Sequence, residues 1–93
     1  MVLLHGLQDC SRSWDFLAST MSKKYRVLAL DHRGHGDSDW ADPNHYQLVD
    51  YVSDIEALFD KENLKDVILI GHSAGGRNAF MYACLLYTSD AAD

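Results

Sequence analysis

The sequence predicts an α/β fold: a short parallel sheet with helices flanking it. Two observations carry this. Apolar runs at residues 2–4, 26–30 and 66–70 each lead into a glycine-bearing turn, as buried strands do. Longer stretches between them repeat apolar residues at helical spacing. Strands that alternate with helices build parallel sheets through right-handed crossovers.

Val2-Leu3-Leu4 forms the first strand and runs into His5-Gly6. A helix is expected over about 14–22, because Trp14, Leu17, Ala18 and Met21 share one helical face. Ser13 stands where an N-cap belongs. Arg26–Leu30 is the second strand. A second helix is expected over about 46–62, with Leu48, Val52, Ile55 and Phe59 as its apolar stripe and Tyr51 and Leu58 beside it. Asn44 and Gln47 have the spacing of a capping box. Trp40 lies in the preceding loop and is assigned to packing rather than to a pocket wall. The third strand covers 66–70, and a helix leaves the following turn at 74.

Ninety-three residues bound the chain to one domain at most. The apolar fraction of 47% is ordinary for a globular core. The net charge of −6 argues against nucleic-acid binding, and no basic run suggests a membrane surface. No transmembrane stretch or signal peptide is visible, which points to a cytoplasmic protein. Cys10 and Cys84 have neither disulfide-framework nor metal-ligand spacing. The five histidines lack a helix-spaced ligand pair, so no metal and no cofactor is expected.

The chemistry concentrates at Gly71-His72-Ser73-Ala74-Gly75-Gly76. A strand that turns sharply into a helix places one residue under backbone strain, with its side chain clear of the sheet. The residues two before and two after it must lack bulk, and Gly71 and Gly75 do. This pattern resembles the nucleophile elbow of the α/β-hydrolases. The resemblance makes Ser73 the nucleophile. It makes the Ala74 N–H, at the start of the helix, one donor to the oxyanion of a tetrahedral intermediate.

Two further segments agree in order and spacing. Val2-Leu3-Leu4-His5-Gly6 resembles the family's third strand and the His-Gly loop after it. By that resemblance the Leu7 N–H is the second oxyanion donor, and His5 ties the loop down through its ring nitrogens. Asp31-His32-Arg33-Gly34-His35-Gly36-Asp37-Ser38 resembles the segment after the fourth strand of the α/β-hydrolase-1 type. Its glycines Gly34 and Gly36 permit a tight loop, which Asp31 and Arg33 would brace through backbone hydrogen bonds. A dinucleotide-binding loop fits this run poorly, since a third glycine and an immediate helix are missing. Gly6, Gly71, His72 and Gly75 complete the supporting set.

The resemblance covers residues 1–83. It implies the third, fourth and fifth strands of a larger sheet, in the spatial order 4-3-5, with the site at their carboxyl ends. It further implies a serine hydrolase acting on an ester or related carbonyl substrate through an acyl-enzyme. Aspartate-elbow relatives open epoxides or remove halide; serine points elsewhere. A non-catalytic receptor or scaffold on the same fold is the alternative. Family order places the triad acid and histidine after the nucleophile. All five histidines precede Ser73, and only Asp90 and Asp93 follow it. The chain is therefore expected to be an amino-terminal fragment, inactive by itself. Residues 84–93 resemble a one-frame translation of a transposase adaptor used in sequencing libraries, and are expected to be foreign to the parent.

Overall fold

The structure, a computed structural model, describes the backbone of residues 1–92 and the side chains of residues 1–86. Three short strands form one parallel sheet in the order β2-β1-β3, where β1 is Val2–Leu4, β2 is Leu28–Leu30 and β3 is Leu69–Gly71. The first strand in sequence lies in the middle, as the 4-3-5 order requires. Val2 is opposite Leu28 on one side and Leu69 on the other, which sets the register of both ladders.

Alternation along the strands puts Val2, Leu4, Leu28, Leu30 and Leu69 on one face. Two helices cover that face: α2, Leu48–Lys61, and α3, Ala74–Ala92. Val52 and Ile55 of α2 and Ala79 and Tyr82 of α3 complete the core, with the Phe59 and Tyr82 rings 4.8 Å apart. The central strand and Ile55 are almost wholly buried, while the stripe residues Leu48 and Phe59 are half-buried at its margin.

Several local expectations change. The first helix splits into a 3-10 turn, Ser11–Trp14, and a short α1, Asp15–Met21. Ser13 therefore caps nothing: it lies inside the turn and its hydroxyl donates to the Asp9 carboxylate. The face of α1 is only half-buried, because the 3-10 turn packs on the strands more closely than α1 does. The capping pair of α2 sits one turn later than Asn44 and Gln47. Gln47 is the N-cap, and the Asp50 carboxylate accepts its N–H at 2.9 Å. Strands β2 and β3 start later than expected, because the ladder is only as long as β1. Trp40 is 84% exposed and packs in no core. Helix α3 continues past Ala83; the side chains of Asp90 and Asp93 lie outside the described residues. Among the described residues no helix is long and apolar enough to cross a membrane.

Candidate active site

All three strands deliver their carboxyl ends to one edge of the sheet, where His5-Gly6, Asp31 and His72-Ser73 follow β1, β2 and β3. Ser73 forms the corner between β3 and α3 with φ +56°, the left-handed region that L side chains disfavour. Its side chain is exposed. The corner is tied to its surroundings by backbone. The His72 N–H donates to Leu4 O at 3.0 Å, the Gly75 N–H to His72 O at 2.9 Å and the Arg77 N–H to Ser73 O at 3.1 Å. The chain segments approach too closely for side chains here. A Cβ on Gly71 would lie 2.3 Å from Gly75 O, and one on Gly75 2.2 Å from Leu4 O.

The loop after β1 runs beside this corner. A Cβ built on Gly6 would lie 3.4 Å from the Ser73 Cβ and 3.2 Å from His72 Nδ1. Residues 6–9 close as a tight turn through the Asp9 N–H to Gly6 O bond of 3.3 Å, with Gln8 at φ +63°. The Ser13 hydroxyl and the Cys10 N–H both donate to the Asp9 carboxylate and hold its pKa below the usual value. Neighbouring amides are satisfied: Gln8 donates to His35 Nε2 at 3.1 Å and Gly75 to His72. The N–H groups of Leu7 and Ala74 have no acceptor among the described residues. Both residues line the same cavity of about 380 Å³.

The loop after β2 braces the arrangement. His5 is buried; its Nε2 accepts the His32 N–H at 3.0 Å and its Nδ1 lies 2.7 Å from Gly6 O. The Asp31 carboxylate accepts the N–H of Ser11 at 2.7 Å and of Asp37 at 3.1 Å. Burial works to raise its pKa, but these bonds outweigh burial and leave it lowered. Gly36, at φ +52°, passes so close that a Cβ would fall 2.4 Å from that carboxyl group. Gly34, at φ +74°, lies against the Tyr46 ring. Arg33 meets the expected backbone role only in part. Its Nε and Nη2 make a two-point pair with Asp54 of α2 at 2.8 and 2.7 Å, and only Nη1 reaches a carbonyl, that of His45, at 2.9 Å. Its fork matches a carboxylate better than one carbonyl.

The cavity wall holds residues that sequence reasoning did not assign to it. Besides Gly6, Leu7 and Ala74 it is lined by His32, His35, Tyr46, Tyr51, Arg77 and Asn78. His32 is 3% exposed, and neither ring nitrogen has a partner among the described residues. Burial first, then the nearby His5, lowers its pKa to about 4, so the ring is neutral near pH 7. Asn78 is 1% exposed, with Oδ1 unpaired among the described residues. One signal was available: Ala74, Arg77 and Asn78 are spaced i, i+3, i+4 and so share the helical face beside the serine. For Tyr46 and Tyr51 no spacing rule pointed to the cavity. Among the described residues no cluster of three His, Cys, Asp or Glu side chains suits a metal.

The chain is similar to known hydrolases. It is 38% identical over 84 residues to epoxide hydrolase 4 of Mus musculus, covering 89% of this chain and 23% of that protein. It is 40% identical over 77 residues to 3-hydroxybutyrate-oligomer hydrolase of Cupriavidus necator, covering 82% and 26%. Thus the chain spans about a quarter of the length of these curated relatives. It superimposes on the crystal structure of an α/β hydrolase from Novosphingobium aromaticivorans with a TM-score of 0.87 at 38% identity, covering 90% of this chain and 30% of that one. Residues 1–90 match the model of the alpha/beta hydrolase fold. Strand order, corner and family match agree, and the chain belongs to the α/β-hydrolase fold family.

Proposed function

We propose that this chain carries the nucleophile and oxyanion hole of a serine hydrolase that cleaves an ester or related carbonyl substrate. The observation that carries the reading is Ser73 in a left-handed corner beside two backbone N–H groups with no acceptor among the described residues. Its oxygen attacks the carbonyl carbon, the carbonyl oxygen becomes an oxyanion, and the Leu7 and Ala74 N–H groups receive that charge. The dipole of α3 adds to the stabilisation, since its amino end faces the same place. The cavity beside these donors holds the acyl or alcohol portion. Serine, in place of the aspartate of epoxide-opening relatives, favours an acyl-enzyme over an alkyl-enzyme.

A base must take the serine proton, and an acid must orient that base. No histidine follows Ser73 in this chain, where family order puts the base; of the five that precede it, His5 and His35 are held in loop bonds, His32 is buried, and His45 and His72 are exposed. The base and acid therefore belong to a remainder of the parent protein, and the 93 residues alone are inactive. The same reading takes residues 84–93 as foreign to the parent; a nucleotide record without adaptor sequence there would refute it. Hydrolysis of a chromogenic short-chain ester tests the main proposal. The chain alone should give no serine-dependent turnover. A full-length enzyme containing residues 1–83 should turn over and lose activity with Ser73→Ala. Unchanged activity of that variant would reject Ser73 as nucleophile, and turnover by the chain alone would reject its incompleteness.

A further inference from the structure

The loops after β1 and β2 are joined twice, by the same device run in opposite directions. His5, in the first loop, accepts the backbone N–H of His32 in the second at 3.0 Å. His35, in the second loop, accepts the backbone N–H of Gln8 in the first at 3.1 Å. The other nitrogen of each ring stays in its own loop: His5 Nδ1 is 2.7 Å from Gly6 O and His35 Nδ1 is 2.9 Å from Arg33 O. The two rings pack with centroids 5.2 Å apart.

These partners fix the protons. A carbonyl oxygen only accepts, so each Nδ1 carries a hydrogen; a backbone N–H only donates, so each Nε2 is bare. Both imidazoles must be neutral Nδ1–H tautomers. Their targets bracket one residue. The His5 bond holds the carbonyl of the Gly6–Leu7 peptide, and the His35 bond holds the N–H of the Leu7–Gln8 peptide. A peptide unit is planar, so holding one end orients the other. With the plane on each side of Leu7 held, its own N–H has a fixed direction. Gln8 needs such a hold, because its φ of +63° is a conformation that a free glutamine leaves.

We propose that His35 is a positioning residue for the oxyanion hole: with His5 it latches the Leu7 peptides so that the Leu7 N–H faces Ser73. This rests on the serine-hydrolase reading above. His35 touches no reacting atom. It acts through Gln8, and its requirement is chemical: an acceptor at the Nε2 position.

The test uses the 93-residue chain labelled with ¹⁵N. Through-hydrogen-bond N–N couplings should link the Gln8 amide to His35 Nε2 and the His32 amide to His5 Nε2, with both rings as Nδ1–H tautomers. Phenylboronic acid, which forms a tetrahedral adduct with an active serine, serves as the oxyanion probe in a full-length enzyme containing residues 1–83, where the base is present. His35→Asn keeps a donor for Arg33 O but cannot reach Gln8, and should weaken boronate binding by about tenfold or more. His35→Gln restores an acceptor near the Nε2 position and should stay within about threefold of the original, a rescue that a bulk-packing role would not give. An Nε2–H tautomer at His35, a missing Gln8 coupling, equal binding by His35→Asn, or a chain without protected β1 amides overturns the latch. Boronate bound without the coupling removes the latch alone. Coupling without boronate binding, or binding unchanged by Ser73→Ala, removes the serine reading and the latch's role in it.

Discussion

The Cβ that Gly75 lacks would stand 2.2 Å from the carbonyl oxygen of Leu4 and 2.5 Å from that of His5. Helix α3 thus rests on the central strand backbone to backbone, and this contact sets the distance between Ser73 and the loop after β1. Neither neighbour is a side chain that can turn away. Gly75→Ala should therefore push α3 off β1 and cost about 2–4 kcal/mol, as overpacking against rigid atoms does. Gly76→Ala is the control: its Cβ would meet Gly71 O at 3.2 Å, a far milder contact, partly offset by better helix propensity. Urea unfolding of both variants measures the difference. Equal losses would show that the close approach is not what holds the corner.

Ser73 itself stores backbone strain. At φ +56° an L residue costs about 1–2 kcal/mol that glycine does not. Ser73→Gly should therefore be more stable than Ser73→Ala by about 1 kcal/mol, the reverse of their order inside a helix. Chemical denaturation of the two variants gives the sign directly. A more stable alanine variant would mean the corner relaxes to negative φ.

His32 should make the fold acid-sensitive above the carboxylate range. Its ordinary pKa is 6.5, and burial lowers it to about 4 in the folded chain. The unfolded chain thus binds the extra proton more readily. The stabilising contribution is fully present above pH 6.5 and is lost as pH falls through that window to about 4. The slope approaches about 1.4 kcal/mol per pH unit, for a total near 3 kcal/mol. Asp31, whose pKa is lowered, contributes its loss only below pH 4, so the two windows separate. Stability measured from pH 7 to pH 4 should fall for the natural chain and stay nearly level for His32→Phe. A parallel fall in both would assign the effect to other groups.

Arg33 and Asp54 connect the loop after β2 to α2 through a two-point pair whose side chains are 22% and 31% exposed. Partial exposure weakens the attraction, and Asp54→Asn should cost about 1 kcal/mol. Arg33→Lys should not preserve the pair, since an ammonium cannot match both carboxylate oxygens and also reach His45 O. A double-mutant cycle at low and high salt would resolve the coupling. Full retention of stability by the lysine variant would reduce the pair to a simple charge contact.

The motif residues were legible because each answers a local steric demand. Gly71 and Gly75 flank the corner, and the left-handed loop positions Gly34 and Gly36 are glycines as well. Strand order followed from the family resemblance, and the sheet has it. What misled the reading was local chemistry with two outlets. Ser13 looks like a cap until Asp9 offers a carboxylate. Gln47 looks like the third residue of a capping box until Asp50 makes it the cap. Trp40 looks like a core residue by its type, but among the described residues it stays 84% exposed.

The sequence by itself determined the α/β architecture, the family, and the place of Ser73 at a strand-to-helix corner. The architecture and the corner follow from spacing along the chain, which local sterics read directly, and the family from the resemblance of its three motifs. The tertiary structure alone decided how the loops meet. The two histidine bonds between them, His5 to His32 and Gln8 to His35, each span 27 positions. The Arg33–Asp54 pair spans 21. The His32 ring nitrogens and Asn78 Oδ1 beside the cavity, unpaired among the described residues, are likewise visible only once the loops and α3 are assembled. Hydrogen bonds between backbone and imidazole have no periodicity in sequence. They appear when a parallel sheet brings the ends of its strands together, and that convergence builds the site.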